Sequence, residues 1–504
     1  MADLQVDLSN CDRELIHIPG KIQSHGFLIV IDKNGIISFL SENISDFLNC
    51  TATDFLGKSL QSLQLAVGNT ADLDSMINLL TSKERKNSIP QINPHLINIR
   101  GIAYHLIISV SGEYLLLEFE PASLIVKLKP HKIGKREIAE IASYKDLYYI
   151  MNRSVKQVKD IIHFDRVMIY RFAEDGHGEV LCEAKNDGLE PWIGLHYPAS
   201  DIPKQAREMY KINLVRQIVD VNSIPSKIVT NIADAEPLDL TNAQLRAVSP
   251  IHIQYLKNMG VASSFSISLI YNSELWGLIA CHNYTPCFVD YTARESAKLT
   301  GQILSAVLDF KQNEQSLFVD DKFKNSLKEL TLILLESSDM IKALTNNDVT
   351  LLDIADVSGV LLVCEGQITK LGILPHDSQI KQLLKWLSKS DLAVNFNTDH
   401  LSLHYPAALA YSDICSGMMV SFLNRKKREY IIWFKPGQLQ TIHWAGNPDK
   451  YMEKGTDGLL HISPRNSFKT WSQTVNHKSE PWATGEINSI IRLKEAIAIM
   501  PNFL

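Results

Sequence analysis

Four side chains combine reactive chemistry with an informative setting: Cys11, Asp201, His252 and His282. Cys11 lies in a polar N-terminal arm outside any apolar run. It is either a stray thiol or, because a thiolate is a good nucleophile, a residue that attaches a ligand. His252 follows Ser-Pro-Ile, and His282 ends the apolar run LWGLIACH. Histidine donates or accepts hydrogen bonds and titrates near neutrality, yet on an apolar stretch it is more often a core residue, so both interpretations stay open.

Asp201 lies in the run PASDIPKQAREMY, residues 198–210. Ser200 or Asp201 can cap a helix here, and Pro203 fits the first helical turn. Tyrosines 170, 197 and 255 occur inside blocks of mixed helix and strand pattern, where aromatic residues usually belong to the core. The residues alone therefore predict local structural roles and leave a binding role open.

Three blocks with an α+β pattern carry these residues. The first hundred residues predict short strands with helical pieces at 41–50 and 73–82, and a long helix is predicted over 138–162. A second long helix is predicted over 293–315, and the tail from 487 returns to helical periodicity. Hairpin turns are predicted at Asn34-Gly35, Ser111-Gly112, Asn272-Ser273, Gly366 and residues 425–428.

Length and composition bound the class of protein. The chain has 504 residues, which at about 150 residues per domain suggests about three domains. Its 50 basic and 56 acidic residues give a net charge of −6, which disfavours a nucleic-acid-binding role. Seven scattered cysteines indicate a reducing compartment, and the chain has neither a signal peptide nor an apolar run of about 18 residues. A cytoplasmic protein without membrane or nucleic-acid partners is expected.

The three blocks joined by long helices indicate a modular sensor, and the chain carries no common catalytic signature. The chain contains no phosphate-binding loop of the GxxxxGK[ST] type, no GxSxG elbow and no HExxH. Residues 434–482 form a long polar stretch rich in Gly, Pro, His and Trp, and a loop this long in a compact domain is functional or disordered.

Several motifs resemble those of bacterial phytochromes, in the family's order over nearly the whole chain. They are the run CDRELIHIPGKIQSHG at 11–26, PASDIPKQAREMY at 198–210, LRAVSPIHIQYLKNMGVASSFSISL at 245–269, LWGLIACH at 275–282, SPRNSF at 463–468 and SEPW at 479–482. The resemblance implies an α+β protein with PAS, GAF and PHY domains, each with an antiparallel sheet and flanking helices. We place them at 1–125 (with the N-terminal arm), 126–312 and 313–504. It also implies an N-terminal figure-of-eight knot and a hairpin "tongue" at about 434–482.

In this family the cofactor is a linear tetrapyrrole, and the resemblance implies biliverdin IXα bound in the GAF domain. Cys11 would form the thioether link. Relatives that attach other bilins carry a cysteine directly before the histidine that matches His252; Ile251 stands there in this chain, which favours biliverdin. Asp201, His252 and His282 would contact the pyrroles and ring D. The remaining expected contacts are Tyr170, Tyr197 and Tyr255 around ring D, Arg216 and Arg246 on the propionates, and Tyr210, Ser249, Ser264 and Ser266.

The resemblance further implies a red/far-red photoreceptor and not an enzyme. Light would isomerise ring D, and a latch of Asp201 with Arg465 and Ser467 in the tongue would release as the tongue refolds. The signal would pass along the terminal helix to an output domain, such as a histidine kinase or diguanylate cyclase, or to a response regulator, in a parallel homodimer. We expect the output domain to lie outside this chain.

Two departures qualify these expectations. Many relatives have Trp-x-Glu after the tongue arginine, whereas this chain has Trp471-Ser472-Gln473. Gly194-Leu195-His196 is closer to plant and cyanobacterial relatives, so the ring D surroundings are expected to differ.

Three other functions fit parts of the sequence. A GAF/PAS sensor of a small metabolite explains the architecture but not the combination of Cys11 with the SDIP motif. A bilin lyase or reductase predicts turnover and release of the pigment. A scaffold protein predicts no pigment at all. Colour that stays covalently attached after denaturation would discriminate against all three.

Overall fold

The computed structural model describes residues 14–48, 50–63, 93–122, 147–173, 175–447, 452–454, 460–462, 468 and 470–499. The chain divides into two compact units. The first comprises residues 1–309 and 443–471, and the second comprises 310–442 and 472–504.

The described strands are β1 Lys21–Ile22, β2 Phe27–Ile31, β3 Ile37–Ser41, β4 His95–Ile99, β5 Ile102–Ser111, β6 Tyr114–Pro121, β7 Arg166–Phe172, β8 Gly178–Lys185, β9 Leu195–Tyr197, β10 Val215–Ile218, β11 Ser226–Thr230, β12 Ser263–Tyr271, β13 Glu274–Asn283, β14 Gly359–Cys364, β15 Gln367–Gly372, β16 Asn395–Thr398, β17 Gly417–Asn424, β18 Glu429–Lys435, β19 Gln438–Ala445, β20 Met452–Lys454, β21 Leu460–Ile462 and β22 Thr470–Lys478.

The described α-helices are α1 Ile44–Leu48, α2 Leu147–Ile162, α3 Lys204–Ile212, α4 Pro250–Asn258, α5 Tyr291–Glu336, α6 Met340–Thr345, α7 Asp377–Leu387, α8 Leu401–His404 and α9 Thr484–Ala498. Short 3-10 turns cover Ala52–Asp54, Ala199–Asp201, Leu351–Ile354 and Pro406–Tyr411.

The first sheet of unit 1 has the order β1-β11-β3-β2-β6-β5-β4. One face buries Phe27, Ile29 and Leu117 in an apolar core with α1. The opposite face buries Leu28 and Leu116 against Leu240 and Leu245, which belong to the loop after β11. Apolar residues on both faces of β2 and β6 explain why these strands are nearly continuous apolar runs.

The second sheet has the order β10-β12-β13-β7-β8-β9-β19-β22, and its first six strands lie in unit 1. Its central strands are antiparallel, whereas β19 pairs with β9 in parallel, His443 opposite Leu195 and Trp444 opposite His196. One face packs on α2 and on the first part of α5.

Unit 2 is built on a five-stranded sheet of order β15-β14-β18-β17-β16. Its central strands β14 and β17 are buried over most of their length, because apolar cores lie on both faces. The core with Trp433 includes the end of α5, α6 and α9; the other core includes α7 and α8.

The α+β prediction is confirmed, and so are the five predicted hairpins. The turns at Asn34-Gly35 and Ser111-Gly112 join β2 to β3 and β5 to β6. Asn272 and Ser273 both have positive φ, 49° and 63°, as a tight two-residue turn between paired strands requires. The hairpins at Gly366 and residues 425–428 join β14 to β15 and β17 to β18.

The predicted helix at 73–82 and the start of the one at 138–162 lie outside the described residues. The helix predicted over 293–315 is longer than expected, because α5 continues to Glu336. The described parts of the predicted tongue contain β19 to β22.

Candidate functional site

One face of the second sheet opens onto a cavity. Along β7 and β13, side chains alternate between two faces of the sheet. Val167, Ile169, Ile279 and Cys281 point into the core with α2 and α5. The intervening residues line an open cavity that encloses about 600 Å³ of space, including solvent at its mouth.

Nine of the residues predicted to contact a cofactor line this cavity. They come from seven different elements: Tyr170 of β7, Tyr197 of β9, Asp201 of a 3-10 turn, Tyr210 of α3, His252 and Tyr255 of α4, Ser264 and Ser266 of β12, and His282 of β13. The structure thus brings together residues that are up to 112 positions apart, from Tyr170 to His282.

Asp201 lies at one side of the cavity, beside a residue of the predicted tongue. The Tyr255 hydroxyl donates a hydrogen bond to the Asp201 carboxylate, with 2.9 Å between the oxygens. The Phe468 ring meets the Tyr255 ring edge to face, with ring centres 5.4 Å apart. Phe468, Tyr255 and Asp201 all belong to unit 1. A displacement of Asp201 can therefore reach Phe468 through one intervening residue, Tyr255.

His252 and His282 are neutral near pH 7. Burial, with a smaller contribution from Arg216, lowers the pKa of His252 to about 4. Burial, followed by Arg166 and His252, lowers the pKa of His282 to about 3. The His282 Nδ1 atom is buried and has no hydrogen-bond partner among the described residues. Buried polar atoms are usually paired, so this nitrogen indicates a site for a ligand.

The position of the Tyr170 ring requires a glycine at position 178. A Cβ there would overlap the Tyr170 ring. The ring also packs against Tyr197, with ring centres 5.8 Å apart, and against Phe172 at 5.2 Å. These contacts fix an aromatic wall at the β7–β9 side of the cavity.

The two predicted propionate ligands, Arg216 and Arg246, are absent from the cavity lining formed by the described residues. Arg216 donates hydrogen bonds to the backbone oxygens of Gln244, at 3.0 Å, and of Arg246. Arg246 donates to the Thr241 oxygen at 3.1 Å. Burial lowers the pKa of Arg216 to about 9 and that of Arg246 to about 10. Both arginines hold the loop after β11 in this structure.

A buried carboxyl of the first sheet supports the same loop. Glu118 of β6 accepts a hydrogen bond from the Leu245 backbone nitrogen at 2.6 Å, and burial raises its pKa to about 7. The Gln23 nitrogen donates to the Leu245 oxygen at 2.7 Å. The N-terminal strand β1, the first sheet and Arg216 therefore all fix the position of Arg246.

The remaining predicted residues lie away from the cavity or outside the described residues. The Ser249 hydroxyl donates to the Glu14 carboxylate at 2.6 Å, which links α4 to the N-terminal segment. Ile251 lies in the first turn of α4, directly before His252. Cys11, Arg465 and Ser467 lie outside the described residues, so their predicted roles stay predictions.

The sequence reasoning missed the apolar part of the lining. These residues are Met168, Val180, Ile202, Leu256, Met259, Leu278 and Ala280. A signal for three of them existed in the two-residue period of β7 and β13, where Met168 lies two positions before Tyr170, and Leu278 and Ala280 lie four and two positions before His282. The facing of Val180, Ile202, Leu256 and Met259 could not be assigned from the local sequence pattern.

Other site types receive no support from the described residues. Across the described ranges, no cluster of His, Cys, Asp and Glu has the arrangement of a metal site. Within those same ranges, no helix combines the length and apolar character needed to cross a membrane. The six described cysteines, at 50, 182, 281, 287, 364 and 415, form no disulfide.

Comparisons with known proteins match the whole chain to one domain series. Residues 11–122 match the family described as PAS fold, residues 146–307 the GAF domain, and residues 324–501 the phytochrome region. Cyanobacterial phytochrome B of Nostoc sp. is 35% identical over 507 residues, covering 98% of this chain and 66% of that protein. The bacteriophytochrome of Xanthomonas campestris is 32% identical over 520 residues, covering 98% of this chain and 79% of that protein.

A solved structure agrees with these matches. The Stigmatella aurantiaca phytochrome photosensory core module superimposes with a TM-score of 0.87 at 32% identity, covering 98% of each chain. The chain spans about two thirds of the length of the first curated relatives that it matches. It belongs to the phytochrome family of photoreceptors and comprises a PAS–GAF–PHY photosensory core.

Proposed function

We propose that this chain senses red and far-red light with biliverdin IXα, linked through a thioether to Cys11 and held in the cavity between α4 and the β7–β13 face. The observation that carries the proposal is the convergence of nine predicted contact residues on one cavity. The Ile251 position, which lacks the alternative attachment cysteine, supports biliverdin over other bilins.

The residues present fit a linear tetrapyrrole. The lining joins an apolar surface from Met168, Leu278 and Ala280 with a few polar groups. The buried His282 Nδ1 and the neutral His252 offer hydrogen bonds to a carbonyl or a pyrrole nitrogen. When bound, the bilin supplies absorption of visible light and isomerisation about the C15=C16 double bond.

The chain's own residues would confine that motion. Tyr170 and Tyr197 form the wall beside the ring that rotates, and His282 donates or accepts a hydrogen bond there. Arg216 and Arg246 would reach the two propionates after a change of hydrogen-bond partners, since backbone oxygens occupy them here. Arginine suits a carboxylate better than lysine because its donors form a planar fork.

The signal would leave the cavity through Asp201. We propose that Arg465 and Ser467 form a latch with Asp201 that holds the tongue as strands and releases it toward helix in the other photostate. The contact of Phe468 with Tyr255, and the hydrogen bond from Tyr255 to Asp201, support this route. A bistable segment biased by the state of a ligand is an established kind of switch.

We further propose the domain boundaries 1–125, 126–312 and 313–504, a cytoplasmic location and a parallel homodimer. The 46-residue helix α5 supports the dimer, because Leu299, Leu332 and Leu335 are exposed along it. The activity of the complete receptor would come from a C-terminal output domain or a response regulator. The core itself would act without catalysis.

The experiment is retention of colour under denaturing conditions. The full chain is mixed with biliverdin, denatured and separated by electrophoresis, and bilin in the protein band is detected by its fluorescence with zinc. We expect a fluorescent band for the wild type and for Cys50→Ala, a matched control at a partly buried cysteine. We expect no band for Cys11→Ala.

Each alternative outcome is informative. Colour that persists in Cys11→Ala would place the thioether on another cysteine and contradict the attachment site. No uptake of biliverdin by the wild type would contradict the receptor proposal and favour a metabolite sensor. Release of a chemically altered bilin would indicate a bilin-processing enzyme.

A further inference from the structure

His282 is held by packing and not by hydrogen bonds within the described part of the chain. It lines the cavity, its Nδ1 atom is buried without a partner there, and its backbone lies in the central strand β13. A ring in this situation keeps its orientation only if its neighbours are rigid. An aromatic neighbour is the Trp192 indole, which meets the imidazole edge to face with ring centres 5.7 Å apart.

Trp192 is in turn fixed by a buried ion pair. The Arg166 guanidinium lies over the indole, 3.9 Å from the ring centre. Arg166 is 1% exposed, forms a salt bridge with Glu183 and donates to the Glu190 oxygen at 2.7 Å. Glu183 also accepts a hydrogen bond from the Trp192 backbone nitrogen at 3.2 Å. One carboxylate therefore orients both the arginine and the tryptophan.

The sheet register places this group directly beside His282. Arg166 and His282 are opposite partners in the β7–β13 pair, and opposite residues project on the same face. The charge on Arg166 opposes a second positive charge on the imidazole, and burial has the same effect. The group thus restrains the ring and disfavours its protonation.

We propose that Arg166 and Trp192, oriented by Glu183, are positioning residues that hold His282 as a neutral imidazole with a fixed ring plane. This proposal rests on the proposed function, in which His282 forms a hydrogen bond with a carbonyl of the bilin. A neutral imidazole has one donor and one acceptor nitrogen, so a fixed plane decides which of them faces the cavity.

Other charged and titratable groups also surround His282. These are Glu183 behind Arg166, His252 and Asp201 across the cavity, and the tyrosines 170, 197, 210 and 255 of its lining. The Trp192 side chain also packs against the apolar cluster that includes Tyr170 and Tyr197. Its ring contacts with Arg166 and His282 are the ones that the variants at Trp192 and Arg166 change.

The test is nitrogen-15 NMR of histidine-labelled full-length chain, without and with biliverdin. The His282 signals are assigned by their loss in His282→Gln. We expect no His282 titration above about pH 5 in the wild type, because a buried imidazole near a cation resists protonation. In the double variant R166M/E183Q, which removes both charges, the midpoint should rise by about one pH unit or more.

Three further variants separate charge from packing. Arg166→Lys keeps the charge but not the planar contact with the indole. The His282 titration midpoint should therefore stay low, while the two ring-nitrogen signals of His282 move or broaden. Trp192→Phe should also alter the nitrogen signals without raising the midpoint as far as R166M/E183Q does. Glu183→Gln alone keeps Arg166 and should give a smaller midpoint change than the double variant.

The proposal is overturned if R166M/E183Q and Trp192→Phe keep the wild-type His282 midpoint and signals. Circular dichroism identifies a variant that has lost its fold, and Trp192→Tyr then replaces Trp192→Phe. The unliganded measurement does not depend on the pigment. If the NMR changes occur but the chain takes up no biliverdin, the proposed function fails and the positioning of His282 stands.

Discussion

The two cavity histidines make a measurable contribution to the pH dependence of stability. Their pKa values in the folded chain, about 4 for His252 and about 3 for His282, lie below the ordinary histidine value of 6.5. At a pH between the folded pKa values and 6.5, these two histidines bind protons in the unfolded chain but not in the folded chain. The stability that their neutral forms contribute is therefore fully present above pH 6.5 and is lost as the pH falls toward the folded pKa values.

We predict that this loss amounts to about 1.4 kcal/mol per pH unit for each histidine, below about pH 6.5. The measurement is the urea midpoint of the unliganded chain at several pH values between about 7.5 and 5. His282→Gln should lower the slope of midpoint against pH, because glutamine does not titrate. The exposed His376→Gln serves as the matched control and should keep a slope close to that of the wild type. Equal slopes for all three chains would contradict the neutral state of His282.

The sequence predicted which residues of a motif bear the relevant chemistry. It did not predict which residues those side chains contact. The motifs led to His252, His282 and Asp201, and the structure places all three on one cavity. Their binding roles stay predictions. No local signal indicated that Arg216 donates to the backbone oxygens of Gln244 and Arg246, or that Arg166 covers Trp192, because these contacts join residues 26 to 30 positions apart.

At the scale of elements, a buried ion pair in unit 2 joins the strand that precedes the tongue to the helix that follows it. Lys435 ends β18, and Glu486 lies in the first turn of α9. Their side chains are 2.8 Å apart, and both are almost fully buried. Glu486 also accepts hydrogen bonds from the Asp356 and Ala483 backbone nitrogens. Because of this ion pair, a displacement of the chain at Lys435 would also displace the first turn of α9.

We predict that Lys435→Met lowers the free energy of unfolding by about 3–5 kcal/mol, since it leaves the Glu486 carboxylate buried without its partner. Lys322→Met is the matched control, because Lys322 pairs with Asp356 at the surface of the same unit. That change should cost less than about 1 kcal/mol. Urea unfolding of both chains, followed by tryptophan fluorescence, compares them. Similar costs for the two variants would show that burial of the Lys435 pair contributes nothing.

Elements were predictable where the pattern was local. Turn residues and two-residue periods predicted the hairpins correctly, since both ends of a hairpin lie in one stretch of sequence. The sequence did not indicate that β11, which follows β10 of the second sheet in the chain, joins the first sheet beside β3. It also did not indicate the parallel pairing of β19 with β9. These pairings join strands far apart in the chain, and local periodicity holds no information on such partners.

At the scale of the whole molecule, we propose that the cavity holds a pigment that light switches between two stable states. The family membership rests on matches along the entire chain. The claim about this chain rests on the cavity beside α4, with its aromatic wall and neutral histidines. The proposed latch between Asp201 and the tongue would pass the change in the cavity on to the rest of the chain.

The most direct measurement is the absorption spectrum of the biliverdin-loaded chain after alternating red and far-red light, with recovery followed in darkness. We predict a difference spectrum that reverses over repeated cycles, and darkness then identifies the resting state. Asp201→Ala and Arg465→Ala should bind the pigment but fail to form a wild-type second state, because each removes one half of the latch. A loaded wild type whose spectrum does not change with light would contradict the photoreceptor proposal, and latch variants that cycle between two wild-type states would contradict the latch.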